Sequence, residues 1–165
     1  MVEREEEMMG GKKKFILLLF VVGIFSFILF KHILVSDEER IKRVLFDGKA
    51  AIEKEDLLGV MAHISYHYRD EYGLNYLGAK SLFNWLFQEF DNIAIHVERI
   101  NVEVTAKKKG KATLHTWATA RGRDRTGYIV GGAQRPCLVL ITLEKERRSW
   151  RVIKAEGVVP GEILL

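Results

Sequence analysis

The sequence predicts an α+β protein: an N-terminal transmembrane helix, then three helices packed on a curved antiparallel sheet of three to four main strands. Three observations lead there. Residues 15–30 carry no charge. From residue 36 to about 91, apolar side chains recur at the spacing of a helix face. From Asn92 onward they recur every second residue, as along a half-buried strand. About 130 residues follow the apolar run, an ordinary size for one domain with its own core.

The apolar run, Phe15–Phe30, is FILLLFVVGIFSFILF, with Lys12, Lys13 and Lys14 before it and Lys31 after it. Ile33, Leu34 and Val35 then resume the apolar character. As a helix, residues 15–35 would span about 31 Å, close to the hydrocarbon thickness of about 30 Å. Lys31 would extend its ammonium toward the headgroups. A cleavable signal peptide needs small residues at its end, whereas this run closes on Phe27, Ile28, Leu29 and Phe30. The expectation is an uncleaved signal anchor at 15–35, in contact with the lipid bilayer. The three lysines favour a cytoplasmic tail at 1–14 and an extracytoplasmic domain at 36–165 of a single-pass cell (inner) membrane protein. Gly23 has no small residue four positions away, so a close helix-pairing face is missing.

Ser36 followed by Glu39 has the spacing of a capping box, which satisfies free N–H groups where a helix begins. Ile41, Val44, Leu45, Gly48, Ala51 and Ile52 then mark one face of that helix. Asp56 is the next N-cap candidate, opening a short helix with Leu57, Leu58, Val60, Met61 and Ile64 turned inward. Tyr66–Arg69 alternates as a brief strand would. A third helix covers about 75–91, with Leu82, Phe83, Leu86, Phe87 and Phe90 as a broad apolar face that needs a sheet to cover it.

Ile93, Ile95 and Val97 share one strand face, and Ile100, Val102 and Val104 continue it one step out of phase. A β-bulge at Glu98-Arg99 would produce that slip and bend the strand. Residues 107–111 form a turn, 112–121 a second strand, 122–136 a basic loop, and 137–144 with 150–156 a closing hairpin. The net charge is +4; residues 1–35 hold five basic and four acidic side chains, which leaves only +3 for the domain. That is too mild to imply nucleic acid. Cys137 is the only cysteine, so no intramolecular disulfide can form, and no metal or other cofactor is expected.

The segment AIEKEDLLGVMAHISYHYRDEYG and the closing RSWRVIKAEG resemble the nuclear transport factor two-like superfamily, whose members wrap helices around a cone of curved sheet. The likeness covers about residues 37–157. It rests on Ala51-Ile52 with Asp56-Leu57 and Val60, on Asp70-x-x-Gly73, and on Trp150-Arg151-Val152. These motifs imply a fold and not a chemistry, because the superfamily includes ketosteroid isomerases, SnoaL-like cyclases, dehydratases and binding or assembly domains without catalysis. Isomerases of this type use a carboxylate base with a tyrosine and a protonated aspartic acid as oxyanion donors. Asp70 matches the base. The tyrosine position falls at Gly48 and the acid position near Pro136-Cys137-Leu138, so one group of three is present and no residue is assigned as catalytic unless the domain is an enzyme using Asp70. An anchor followed by an extracytoplasmic cone domain is similar to the plan of assembly components in bacterial secretion machines.

The ligand-pocket candidates are Tyr66, Tyr68, Asp70, Trp85, Thr116 and Cys137. Asp70, ahead of a tight glycine turn, also suits bonding to nearby backbone N–H groups. His63 and His67 have a metal-ligand spacing only if one helix carries both, which the extended look of Tyr66–Arg69 opposes. Ala112, Leu114, Thr116, Ala118 and Ala120 share the inner strand face. Their small size leaves space either for a ligand or for Phe83, Trp85 and Phe87. The other face carries the interface candidates His115, Trp117, Leu138 and Leu140, through which a homodimer would form. The expectation is a non-enzymatic envelope protein binding a partner protein or a small apolar ligand. The alternative is an anchored lyase or isomerase on a small apolar substrate, with Asp70 as base.

Overall fold

Asp37, Glu38 and Glu39 open the first helix of the domain, where negative charge suits the positive end of the helix dipole. In the computed structural model, which describes residues 20–24, 35–123 and 126–157, this helix α1 runs Asp37–Glu53. Glu55, in the left-handed region at φ 56°, turns the chain. The Asp56 carboxylate then accepts the Gly59 N–H at 3.0 Å and caps α2, Leu57–His63. Asn75 does the same for α3, Tyr76–Glu89, accepting the Gly78 N–H at 2.9 Å.

Five strands follow: β1 Asp91–Ala106, β2 Lys109–Arg121, β3 Thr126–Val130, β4 Cys137–Glu146 and β5 Ser149–Glu156. All neighbours are antiparallel, in the order β1-β2-β4-β5. The far edge of β2 is shared: β4 pairs with Lys109–Thr116 and β3 with Ala118–Arg121. The β1 bulge is where the phase slip placed it. Val97 faces Thr116 and Arg99 faces His115, leaving Glu98 without an opposite residue.

Packing is tightest where α1 meets the sheet. Ile41 and Leu143 are wholly buried there, together with Trp150 and Ala112. Gly110 allows this approach, since a Cβ on it would come within 2.5 Å of Ile41 Cδ1. Ala51, Val60, Met61, Ile64 and Ala79 join the three helices, while Leu86, Ile93, Ala118, Ala120 and Ile129 join α3 to the sheet.

Three local expectations need correction. Tyr66 and His67 form a turn and Arg69 a single bridge to Asn75, so residues 66–69 are not a strand. Ser65 organises them, its carbonyl accepting the Tyr68 N–H at 3.0 Å and its hydroxyl the His67 N–H at 3.0 Å. The loop expected at 122–136 contains β3, whose five residues include Gly127 and are too few for a periodicity to register. Leu58 points outward at 77% exposure, because only one face of so short a helix meets the core.

The chain divides into two units, Met1–Ser36 and Asp37–Leu165. The tail expected at 1–14 and the span expected at 15–35 lie outside the described residues, apart from 20–24, which are helical, and Val35. Among the described residues no helix is long and apolar enough to cross a membrane.

Candidate functional site

The three helices and the inner sheet face enclose a cavity of about 330 Å³. Its wall is overwhelmingly apolar. α1 contributes Val44, Leu45, Gly48 and Ile52, and α3 contributes Ala79, Leu82, Phe83 and Leu86. β1 and β2 supply Ile93, Ile95, Leu114 and Ala118. The space exists because the residues that could fill it are small or absent. β2 alternates strictly, and at Ala118, which lines the cavity, its buried side chain stops at a methyl. Gly48 has only His63 Cδ2 within 4 Å of where a Cβ would stand.

Few polar side chains reach this wall: Lys49, His63, Tyr68, Asp70 and Thr116. Most already have partners. Lys49 pairs with Glu53 at 2.7 Å, and the other Glu53 oxygen accepts the Ile95 N–H at 2.8 Å. Burial pushes the Glu53 carboxyl up, but the Lys49 bond, the Ile95 N–H and the Lys49 charge outweigh it and hold the group below its ordinary value. The Thr116 hydroxyl donates to the His96 carbonyl at 2.7 Å, which removes its proton from use by a ligand and leaves acceptor capacity. One Asp70 oxygen accepts the Tyr72 N–H at 2.9 Å and the Leu74 N–H at 2.8 Å. Gly73 sits inside that turn at φ +83°, a conformation that favours glycine.

Tyr68 is the most perturbed group on the wall. Burial, and then the neighbouring Asp70 carboxylate, push its phenol up to about 12, against a lowering contribution from the Ala155 N–H. The phenol therefore stays protonated across the ordinary pH range. It supplies a donor beside a carboxylate, in a wall that is otherwise hydrocarbon.

Of the six ligand-pocket candidates, Tyr68, Asp70 and Thr116 line the cavity. Tyr66, Trp85 and Cys137 do not. Tyr66 is 76% exposed and rests on Tyr76 with ring centroids 4.5 Å apart. Trp85 packs edge-on to Phe90 at 6.1 Å. The Cys137 thiol donates to the Gly157 carbonyl at 2.9 Å. The helix aromatics leave the interior open: Phe83 stands in the wall, while Trp85 and Phe87 stand behind it. The four interface candidates share the outer sheet face. His115 is opposite Leu138 in register, and Leu138 and Leu140 are 47% and 42% exposed. Trp117 is stacked on His96 at 5.1 Å. Among the described residues no group of His, Cys, Asp or Glu is arranged to hold a metal ion; α2 ends at His63, and His67 lies beyond it.

Sequence reasoning missed the α1 side of the wall. The sequence puts Gly48 on the inward face of the helix and at the position where an isomerase tyrosine is lacking, and neither reading makes it part of a ligand pocket. A glycine in mid-helix on an inward face was itself the signal of a vacated interior.

No protein-family model matches this chain, and no curated protein matches it. Solved structures do. One is a candidate scytalone dehydratase from Novosphingobium aromaticivorans, 14% identical with a TM-score of 0.62, covering 71% of this chain and 79% of its own. A candidate dehydratase of the nuclear transport factor two-like family from Streptomyces avermitilis is 10% identical with a TM-score of 0.60, covering 72% and 92%. A ketosteroid isomerase-like protein from Erwinia carotovora atroseptica is 13% identical with a TM-score of 0.56, covering 74% and 95%. The structure from Asp37 onward is thus a cone-fold α+β domain. At such identities the likeness extends to the fold alone.

Proposed function

We propose that the chain is a single-pass membrane protein, anchored by residues 15–35 with its N-terminus cytoplasmic, whose extracytoplasmic cone domain binds a small apolar ligand without transforming it. The cavity carries this reading. A volume of about 330 Å³ is at the low end of ligand pockets, and its few polar groups suit orientation more than chemistry. The anchor is supported by the uncharged run itself, and by Phe20, Val21, Val22 and Ile24 being helical with their apolar side chains exposed.

The second reading, an anchored lyase or isomerase, draws on Tyr68 beside Asp70 on the same wall and on the dehydratase names of structural neighbours. Two features favour binding. Asp70 already serves the turn through two backbone N–H groups, and Gly48 leaves the position of an oxyanion tyrosine empty, which forgoes the largest electrostatic contribution to such catalysis.

The test uses residues 36–165 and the apolar dye N-phenyl-1-naphthylamine. Saturable dye fluorescence is expected, abolished by Gly48→Phe and retained in Asp70→Asn. Equal binding by Gly48→Phe would place the dye elsewhere and sink the reading. The outer face of Leu138, Leu140, His115 and Trp117 is the proposed homodimer contact. Light scattering should give a dimer mass that Leu140→Lys lowers to that of a monomer, and a monomeric parent would contradict it.

A further inference from the structure

The apolar run precedes the domain directly in sequence, so whatever residues 15–35 enter, the chain leaves it at the N-terminus of α1. Three contacts define that end of the domain. Asp37 accepts bonds from Lys145 Nζ at 2.7 Å and from Trp150 Nε1 at 3.2 Å. The Lys145 N–H donates to the Lys108 carbonyl at 2.9 Å. The start of α1 is thereby tied to two neighbouring hairpin turns, β1–β2 at Lys107-Lys108 and β4–β5 at Arg147-Arg148.

Both turns are built from cations, and both are exposed. Lys109 and Lys111, exposed on β2, extend the group. Among the described residues none of these six forms an ion pair. Lys109 and Lys111 stand opposite Glu144 and Glu103 in register, which tempers their charge. The four turn residues have no such neighbour. The remaining acids here are Glu38, Glu39 and Glu146. Glu39 pairs with Lys42, and Glu146 turns away toward Ser65 and Arg151.

We infer that this end of the domain is an anionic-lipid headgroup surface, with Lys107, Lys108, Arg147 and Arg148 as its contacts. The inference rests on the anchor reading. A single-pass anchor holds the α1 start near the bilayer, and the residues placed beside that start are unpaired cations on short turns. Each basic residue at an anionic surface strengthens association about fivefold, so four acting together would fix the domain's orientation on the membrane. The same turns alone would attract any polyanion. Their position at the point where the apolar run enters the domain selects lipid over nucleic acid.

The experiment uses the full chain in bilayer discs of phosphatidylcholine alone or mixed with phosphatidylglycerol. Trypsin cutting is read by mass spectrometry at Lys107, Lys108, Arg147 and Arg148. Arg121, exposed and followed by Gly122, is the reference, roughly 40 Å along the strand at the other end of β2. Cutting at the four sites should slow about tenfold or more on anionic discs, with Arg121 unchanged. About 1 M salt, where screening acts within about 3 Å, should remove the protection. The variant Lys107→Glu with Lys108→Glu should lose most of the protection at Arg147 and Arg148. A chain that enters both discs and is cut equally overturns this inference alone. A chain that enters neither overturns the anchor and this inference with it. Stronger protection by duplex DNA on neutral discs than by anionic lipid would overturn it in favour of nucleic acid.

Discussion

Ile41 and Gly48 lie on the same face of α1, two turns apart, and meet opposite surroundings. Ile41 has no exposed surface and touches the space over Gly110 so closely that no Cβ could stand there. Gly48 borders the cavity. One helix face is therefore packed as a core at its N-terminal end and left hollow at its middle. The difference comes from what lies across from each. Ile41 meets Trp150 and Leu143, large side chains on the β4–β5 hairpin. Gly48 has only His63 nearby and shares the cavity wall with Thr116 and Ala118 of β2. Stability is concentrated at the first end and ligand space at the second, so changing one should leave the other largely untouched.

The largest expected effect is at the packed end. Trp150→Ala removes a side chain that is 2% exposed and should cost about 3–5 kcal/mol, read as a fall in the midpoint of urea unfolding. Phe83→Ala, in a wall that already faces empty space, forfeits fewer contacts and should cost clearly less. Equal losses from the two would mean that the cavity wall is as constrained as the core, and the contrast would break.

Asp37 gives a smaller effect with a pH signature. The Lys145 bond chiefly, then the Trp150 N–H and the charges of Lys145 and Arg40, hold its carboxyl below the ordinary 3.8 despite some burial. A carboxyl lowered in the folded state contributes stability that is present above its unfolded value and lost as the pH falls through the folded one. Asp37→Ala should therefore cost about 1 kcal/mol near neutrality, and that difference should shrink toward zero below about pH 4. A cost independent of pH would assign the effect to helix capping and not to the ionised pair.

The packed end was largely legible in the sequence, and the hollow only as one of two fates for the space beside the small residues of β2. Helical spacing from Ile41 to Ile52, the Asp56 cap and the Glu98 bulge are local signals, set by periods of 3.6 and 2 and by one extra residue. The likeness around Trp150-Arg151-Val152 supplied the cone. A cavity is a statement about missing volume between distant elements, and periodicity reports only which side chains face inward. Tyr68, Asp70 and Thr116 could be nominated because the resemblance and strand alternation gave them a face. Tyr66 and Trp85 have the right chemistry, but a Ser65-centred turn and the Phe90 contact aim them elsewhere. The β3 strand escaped notice because five residues that include Gly127 are too few for a period of two to register.

The smallest effect decides most sharply whether the middle of α1 is hollow. Glycine within a helix costs about 1 kcal/mol relative to alanine, part of it through the freedom of the unfolded chain. Gly48→Ala places a methyl whose nearest neighbour is His63 Cδ2 at 3.9 Å, an ordinary contact. The substitution should therefore stabilise the domain by about 0.5–1 kcal/mol, seen as a rise in thermal midpoint of a few degrees. The same change at Gly110 sets a methyl against Ile41 and should lower the midpoint, because that neighbour is locked in the core. Opposite signs for one substitution at two glycines would show that space, and not backbone preference, separates them. A loss at both would mean that the cavity beside Gly48 closes in solution, leaving the ligand nowhere to bind.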